Sequence, residues 1–117
     1  MHELFITESI FESVARSLPV DVAPEYVTAV EVTVGKLDAV IPETLQFLFD
    51  AIKTGKGFPR AELALTEEPV ECVCQTCRND FDLYDPVFIC PYCGSVKILV
   101  SKGKGITLTR IEADVPD

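Results

Sequence analysis

Four of the five cysteines fall in two C-x-x-C pairs, Cys74-Gln75-Thr76-Cys77 and Cys90-Pro91-Tyr92-Cys93, with twelve residues between them. A C-x-x-C turn curls the backbone until two thiolates face one centre. Two such knuckles supply four sulfurs in a tetrahedron, each about 2.3 Å from a metal. Four protein ligands leave no position for water or substrate, so the expected site is structural rather than catalytic. Gly94 follows the second pair, where positive φ is often required and glycine supplies it cheaply. A pair of redox dithiols fits less well, because a thioredoxin-like C-x-x-C belongs near a βαβ pattern and none is visible here. The cysteine stretch is too short to build its own core. A bound metal is expected to stabilise it, on the order of 10 kcal/mol for structural zinc.

The 117 residues suit one small domain, or one domain with a small module. With 48% hydrophobic residues, the rest of the chain has enough apolar surface for a core. The net charge of −9 argues against nucleic acid, whose phosphates need a basic face. No run approaches the ~20 apolar residues of a membrane helix. Glu3, Glu8 and Glu12 do not fit the basic start of a secretory signal. Reduced, knuckle-spaced cysteines point to the cytoplasm.

Apolar periodicity divides the chain. Leu4 to Leu18 reads as a helix whose stripe is Ile10, Phe11, Val14, Ala15 and Leu18, with Pro19 as its stop. Val27 to Val34 reads as a strand with Val30, Val32 and Val34 on one face. A second helix is expected from Pro42, with Ile41, Leu45, Leu48, Phe49 and Ile52 inward and Gly55 closing it. Ala61 to Thr66 is a short strand with Leu63 and Leu65 inward, and Val70 to Cys74 runs as a strand into the first knuckle. Cys72 shares the side of that strand with Cys74. It reads either as a small buried side chain or as a spare thiolate able to swap into the site. Residues 78–89 read as an excursion, a solvated acidic loop carrying Asp80, Asp82 and Asp85. Ser95 to Lys102 returns as a strand with Val96, Ile98 and Val100 on one side. Ile106 to Val115 would be an orphan edge unless it pairs with Val27 to Val34. The expected fold is therefore α+β: two helices on a small mixed or antiparallel sheet, with an inserted four-Cys zinc-ribbon module. Glu67-Glu68-Pro69 and Lys102-Gly103-Lys104-Gly105 bound the insertion, giving 1–68 plus 104–117 as one domain and 69–103 as the other.

Tetrahedral thiolate suits zinc or iron. Cys90-Pro91-Tyr92-Cys93-Gly94 resembles the second knuckle of rubredoxins, and Tyr84-Asp85-Pro86 adds to that echo. Rubredoxins separate their knuckles by a longer stretch and have nothing like residues 1–68, so zinc is favoured. The chain opens Met1-His2-Glu3, and His2 is the only histidine. The Met1 amine, the deprotonated His2 amide and the His2 imidazole are able to form adjoining chelate rings in one plane. Ni(II) and Cu(II) prefer such tetragonal nitrogen donors, and a backbone amide or the Glu3 carboxylate can add a further donor. Taken alone, the tripeptide is more simply a solvated histidine at a frayed end.

An opening Met-His-Glu together with paired C-x-x-C knuckles resembles the HypA family of hydrogenase-maturation nickel chaperones. Val30-Glu31-Val32-Thr33-Val34-Gly35 looks like that family's first strand and glycine, and Phe47-Leu48-Phe49-Asp50 like its second helix. Ala61-Glu62-Leu63 looks like the strand leading to the metal site. Glu71 to Cys77 and Cys90 to Ser95 look like its zinc knuckles. The resemblance implies a cytosolic non-enzyme that binds Ni(II) transiently at Met1, His2 and Glu3 and holds structural Zn(II) at Cys74, Cys77, Cys90 and Cys93. It also implies a GTPase partner for nickel insertion and the large subunit of a [NiFe] hydrogenase as acceptor, without nucleic acid or membrane. A homodimer stays open. A rubredoxin-like iron electron carrier and a zinc-ribbon interaction module stand as the alternatives.

Overall fold

A computed structural model describes residues 2–85 and 87–116, the side chain of His2 excepted. Met1, that imidazole and Pro86 therefore lie outside the described residues. The described elements are α1 (His2–Ser17), β1 (Val27–Gly35), α2 (Pro42–Ile52), β2 (Glu62–Glu68), β3 (Val70–Cys74), β4 (Asp80–Leu83), β5 (Ile98–Lys102) and β6 (Ile106–Ala113). They form two three-stranded sheets, ordered β2-β1-β6 and β4-β3-β5. Contacts group the chain into two compact units. The first comprises residues 1–33, 40–66 and 107–117, and the second 34–39 and 67–106. None of the described helices is long and apolar enough to cross a membrane.

In the first unit α1 packs on α2. The helix begins at His2, two residues earlier than its apolar pattern implies, because Ile6 and Thr7 extend the buried stripe toward the N-terminus. Thr7 is fully buried, and its Oγ1 donates to the Glu3 carbonyl at 2.7 Å, which satisfies the hydroxyl inside the helix. Ala15, expected inward, is exposed, and Leu18 lies just past the helix end, where its N–H still donates to the Val14 carbonyl.

Pro42 opens α2 as its fixed φ favours, with Glu43 in the first turn. Leu45 and Phe49 are its buried residues; Ile41, expected inward, faces solvent. Gly55 does not supply the positive φ at the end of α2. The chain makes further turns and reverses at Gly57, with φ of 92°. That reversal delivers Phe58 to the core, where its ring lies 5.5 Å from Phe11. Phe11 in turn stacks on Phe49 at 4.5 Å and 15°. These three rings are buried in this core together with Val14, Val30 and Val32.

Strand β6 lies beside β1, as an otherwise unpartnered strand requires. The Asp114 N–H donates to the Tyr26 carbonyl and the Gly35 N–H to the Gly105 carbonyl, so the two strands run antiparallel.

In the second unit β3 is central. It pairs antiparallel with β4, Val70 opposite Leu83 and Val73 opposite Asp80, and with β5, Val73 opposite Leu99. Strand β4 lies within the stretch expected to be an acidic loop. Asp80 and Asp82 face out while Phe81 and Leu83 are half-buried, an alternation too short to show in sequence. Strand β5 starts only at Ile98. Residues 95–97 are taken up by the knuckles instead, since Ser95 O accepts from Cys90 N and Lys97 O from Gln75 N.

A clasp of main-chain bonds closes this unit. Residues 34–39 approach 103–105 so tightly that a Cβ on Gly35 would lie 2.2 Å from the Gly103 oxygen. Gly35 N donates to Gly105 O at 2.8 Å and Leu37 N to Gly103 O at 3.0 Å. The Glu68 carboxylate accepts from Gly103 N at 2.8 Å, and the Asp38 carboxylate from Gly105 N at 2.5 Å.

Replacing Phe49 by alanine removes the ring that Phe11 stacks on. We expect a loss of about 3–5 kcal/mol from the first unit. Both described α-helices belong to that unit, so thermal melting followed by helical ellipticity reports it directly.

Candidate metal centre

The four predicted cysteines come together. Cys74, Cys77, Cys90 and Cys93 place their sulfurs within 4.8 Å of one another. The Cys74–Cys93 and Cys77–Cys90 separations are both 3.6 Å. A disulfide needs about 2.05 Å, so these are free sulfurs. A tetrahedron with arms of about 2.3 Å has an edge of about 3.8 Å, close to the observed spacing. The donor set fits a zinc-sized or iron-sized ion, and among the described residues it is the sole grouping of this kind.

The two knuckles are built alike. Arg78 N donates to Cys74 O and Gly94 N to Cys90 O, both at 2.9 Å. Each turn then ends in a left-handed residue, Arg78 at φ 67° and Gly94 at φ 76°. The expected positive φ at Gly94 is present. Its counterpart, an arginine in the same conformation, gave no signal in the sequence. Amides and side chains point at the sulfurs: Cys77 N to Cys74 Sγ at 3.5 Å, Tyr92 N to Cys90 Sγ at 3.4 Å and Asn79 Nδ2 to Cys77 Sγ at 3.4 Å. The hydroxyls of Thr76 and Ser95 meet at 2.8 Å and tie one knuckle to the other.

This environment splits the thiols. The Cys77 amide and its neighbours lower Cys74 to about 6, against the opposing effect of burial. Burial raises Cys90, but the Cys93 and Tyr92 amides outweigh it and leave it lowered. The Ser95 amide lowers Cys93, yet burial and the other three thiols together push it up to about 12. On its own the set therefore resists full ionisation. A divalent ion would favour all four thiolates, and acid competes with it by returning protons to the sulfurs.

Cys72 is wholly buried on the same face of β3 as Cys74, as the strand alternation implies. Burial raises its thiol. It stands outside the four-sulfur group. At the other predicted site, His2 and Glu3 form the first residues of α1, and Glu3 is half-buried. They belong to the first unit, the cysteines to the second.

Arg78→Gly tests the matched knuckles. A left-handed L-residue costs roughly 1–2 kcal/mol, part of which glycine returns as unfolded-state entropy. We expect the second unit to gain up to about 1 kcal/mol, read as a higher melting midpoint at unchanged metal content.

Comparison with known proteins agrees with this construction. The family described as "Hydrogenase/urease nickel incorporation, metallochaperone, hypA" matches residues 1–113. The hydrogenase maturation factor HypA of Desulfatibacillum aliphaticivorans is 33% identical over 117 residues, covering all of this chain and 90% of that one. HypA of Chlorobium limicola is 34% identical over 117 residues and covers both chains fully. The solution structure of the Ni metallochaperone HypA from Helicobacter pylori superposes with a TM-score of 0.65 at 21% identity, over 95% of this chain and 96% of that one. A second solution structure of a HypA protein gives 0.70 at 21% identity, over 97% and 96%. Those two structures share the fold of two helices and small sheets. With a match this long, the chain belongs to the HypA family of nickel-incorporation metallochaperones, maturation factors rather than enzymes.

Proposed function

We propose that this protein binds Ni(II) through Met1, His2 and Glu3 and delivers it for maturation of a [NiFe] hydrogenase, with structural zinc held by Cys74, Cys77, Cys90 and Cys93. The observation that carries this reading is the extent of the family match, which takes in both the opening tripeptide and all four cysteines. The relatives' names, hydrogenase maturation factors, favour hydrogenase as the destination. On this reading the protein works in the cytoplasm with a GTPase that drives insertion, and the large subunit of the hydrogenase accepts the metal. On the same reading the unit that carries the opening tripeptide handles nickel, and the unit that carries the four cysteines is the zinc module.

The local chemistry supports a weak, exchangeable nickel site. The first four N–H groups of a helix have no intrahelical partner. The His2 amide at the start of α1 is therefore free to lose its proton to a metal without breaking a helical bond. The helix dipole favours that negative amide but opposes the incoming cation, and Glu3 offsets part of the opposition. Terminal donors released one at a time suit transfer to an acceptor better than a closed cage does. An ordinary imidazole takes up a proton near pH 6.5, so nickel binding is expected to weaken as pH falls through that range. The four-cysteine centre has the opposite character. It is saturated by protein ligands, so it stabilises and does not trade.

The test is a Ni(II) titration of protein with its native N-terminus beside a form extended by two residues ahead of Met1. We expect one nickel per chain in the native form and loss of that site on extension or in His2→Ala. Equal binding by native and extended forms would place the ligands elsewhere and sink the terminal chelate. For the second metal, elemental analysis of the protein as isolated is expected to return about one zinc per chain and a colourless solution. A red protein carrying iron would instead favour the rubredoxin-like alternative.

A further inference from the structure

The metal-bearing face of the β4-β3-β5 sheet is accounted for; its opposite face is not. Strand alternation sends Val70, Cys72 and Cys74 to the buried side and leaves Glu71 and Val73 on the other. The pairing with β4 puts Asp82 opposite Glu71 and Asp80 opposite Val73, all on that outer face. With Tyr84 and Tyr92 these residues line an open groove of about 790 Å³. The two tyrosines are 89% and 66% exposed, far more than a ring needed for packing.

The groove is costly for the fold alone. Like charges directly opposite each other across a strand pair destabilise it, and Glu71 opposite Asp82 is such a pair. Lys102 reaches Glu71 at 3.7 Å, but among the described residues no ion pair involves Asp80 or Asp82. Nor do these carboxylates converge on one point as a metal site would, since the sole such grouping described is the four cysteines. They are spread along the strand instead. Residues i and i+2 on one face of a strand are about 6.6–6.8 Å apart, which is also the spacing of alternate side chains in any extended peptide. Exposed tyrosine faces attract guanidinium and ammonium groups and pack against their aliphatic stems.

We propose that this face is a docking groove for an extended, basic segment of a protein partner, with arginine or lysine at alternate positions. Two successive cations meet Asp80 and Asp82, and the tyrosine rings hold the flanking side chains over Val73. The charge signs, the alternating spacing and the apolar floor select such a segment over a nucleic acid or a single ion. Nickel takes no part, so the proposal stands or falls separately from the terminal chelate.

The full chain with its cysteine metal in place is titrated, without nickel, into a short fluorescent peptide carrying arginine at alternate positions. A matching peptide with glutamate replaces it as control. The arginine peptide is expected to bind, the glutamate peptide not, and amide shifts are expected at residues 71–84. Asp80→Asn with Asp82→Asn should weaken binding about tenfold, and Tyr84→Ala several-fold, at unchanged metal content. Glu8→Gln with Glu12→Gln removes the same charge from α1 and should leave binding intact. Equal weakening by the two double variants would mean attraction to net charge alone and would overturn the groove. Shifts confined to α1, or no preference for arginine over glutamate, would overturn it as well.

Discussion

Four sulfurs within 4.8 Å of one another cannot all carry charge unless a cation lies among them. At an effective dielectric of about 20, two unit charges 4 Å apart repel by about 4 kcal/mol, and a tetrahedron has six such pairs. The split in thiol acidity is the protein's partial answer: donated amides favour charge at Cys74, while burial and the neighbouring thiols oppose it at Cys93. The rest of the second unit is arranged around that conflict. Its three strands are short, its described helical content is confined to one turn, and its cysteines make up much of what it buries. A module with so small an apolar core would lean on a bound ion for stability.

The first unit has no such dependence. Its core is conventional, an aromatic trio under two helices and a valine-faced strand. The two units thus stand on different physics, one on burial and the other on coordination. On the proposed reading, that contrast keeps the structural ion from being exchanged for the cargo. Thiolates in a closed tetrahedron and nitrogens at a chain end differ in softness, geometry and charge, which are the properties that sort transition metals.

Much of this was legible before any coordinates. Cysteine spacing marks the centre because ligand geometry allows few spacings. Pro42 marks the start of α2 because its φ is fixed. The partner of β6 follows from the cost of an open edge. What stayed hidden was hidden for physical reasons. Thr7 is polar by type and apolar by position, because a bond to its own helix conceals the hydroxyl. Phe58 lies among glycine, lysine and proline, so no periodicity announces that it is core. Strand β4 has only two apolar residues, both half-buried, and its register is imposed by β3. Val96 continues the alternation of Ile98 and Val100, but the knuckles claim the backbone groups of residues 95–97. The role proposed for the opening tripeptide rests on resemblance, because three residues are too few for pattern reasoning.

The glycine clasp has a consequence for how this architecture is able to evolve or be borrowed. Residues 34–39 belong by contact to the cysteine-bearing unit, although they precede it by about thirty positions in the chain. The unit is therefore not a cassette that can be lifted out between two cuts. A fragment running from 67 to 106 would leave behind the backbone that covers Gly103, exposing two main-chain bonds and a surface shaped for a partner without side-chain bulk. Grafting the metal module onto another scaffold would require that scaffold to supply a strand end with a glycine at the same place. Inheritance of the whole chain is the simpler route, consistent with relatives that match from end to end.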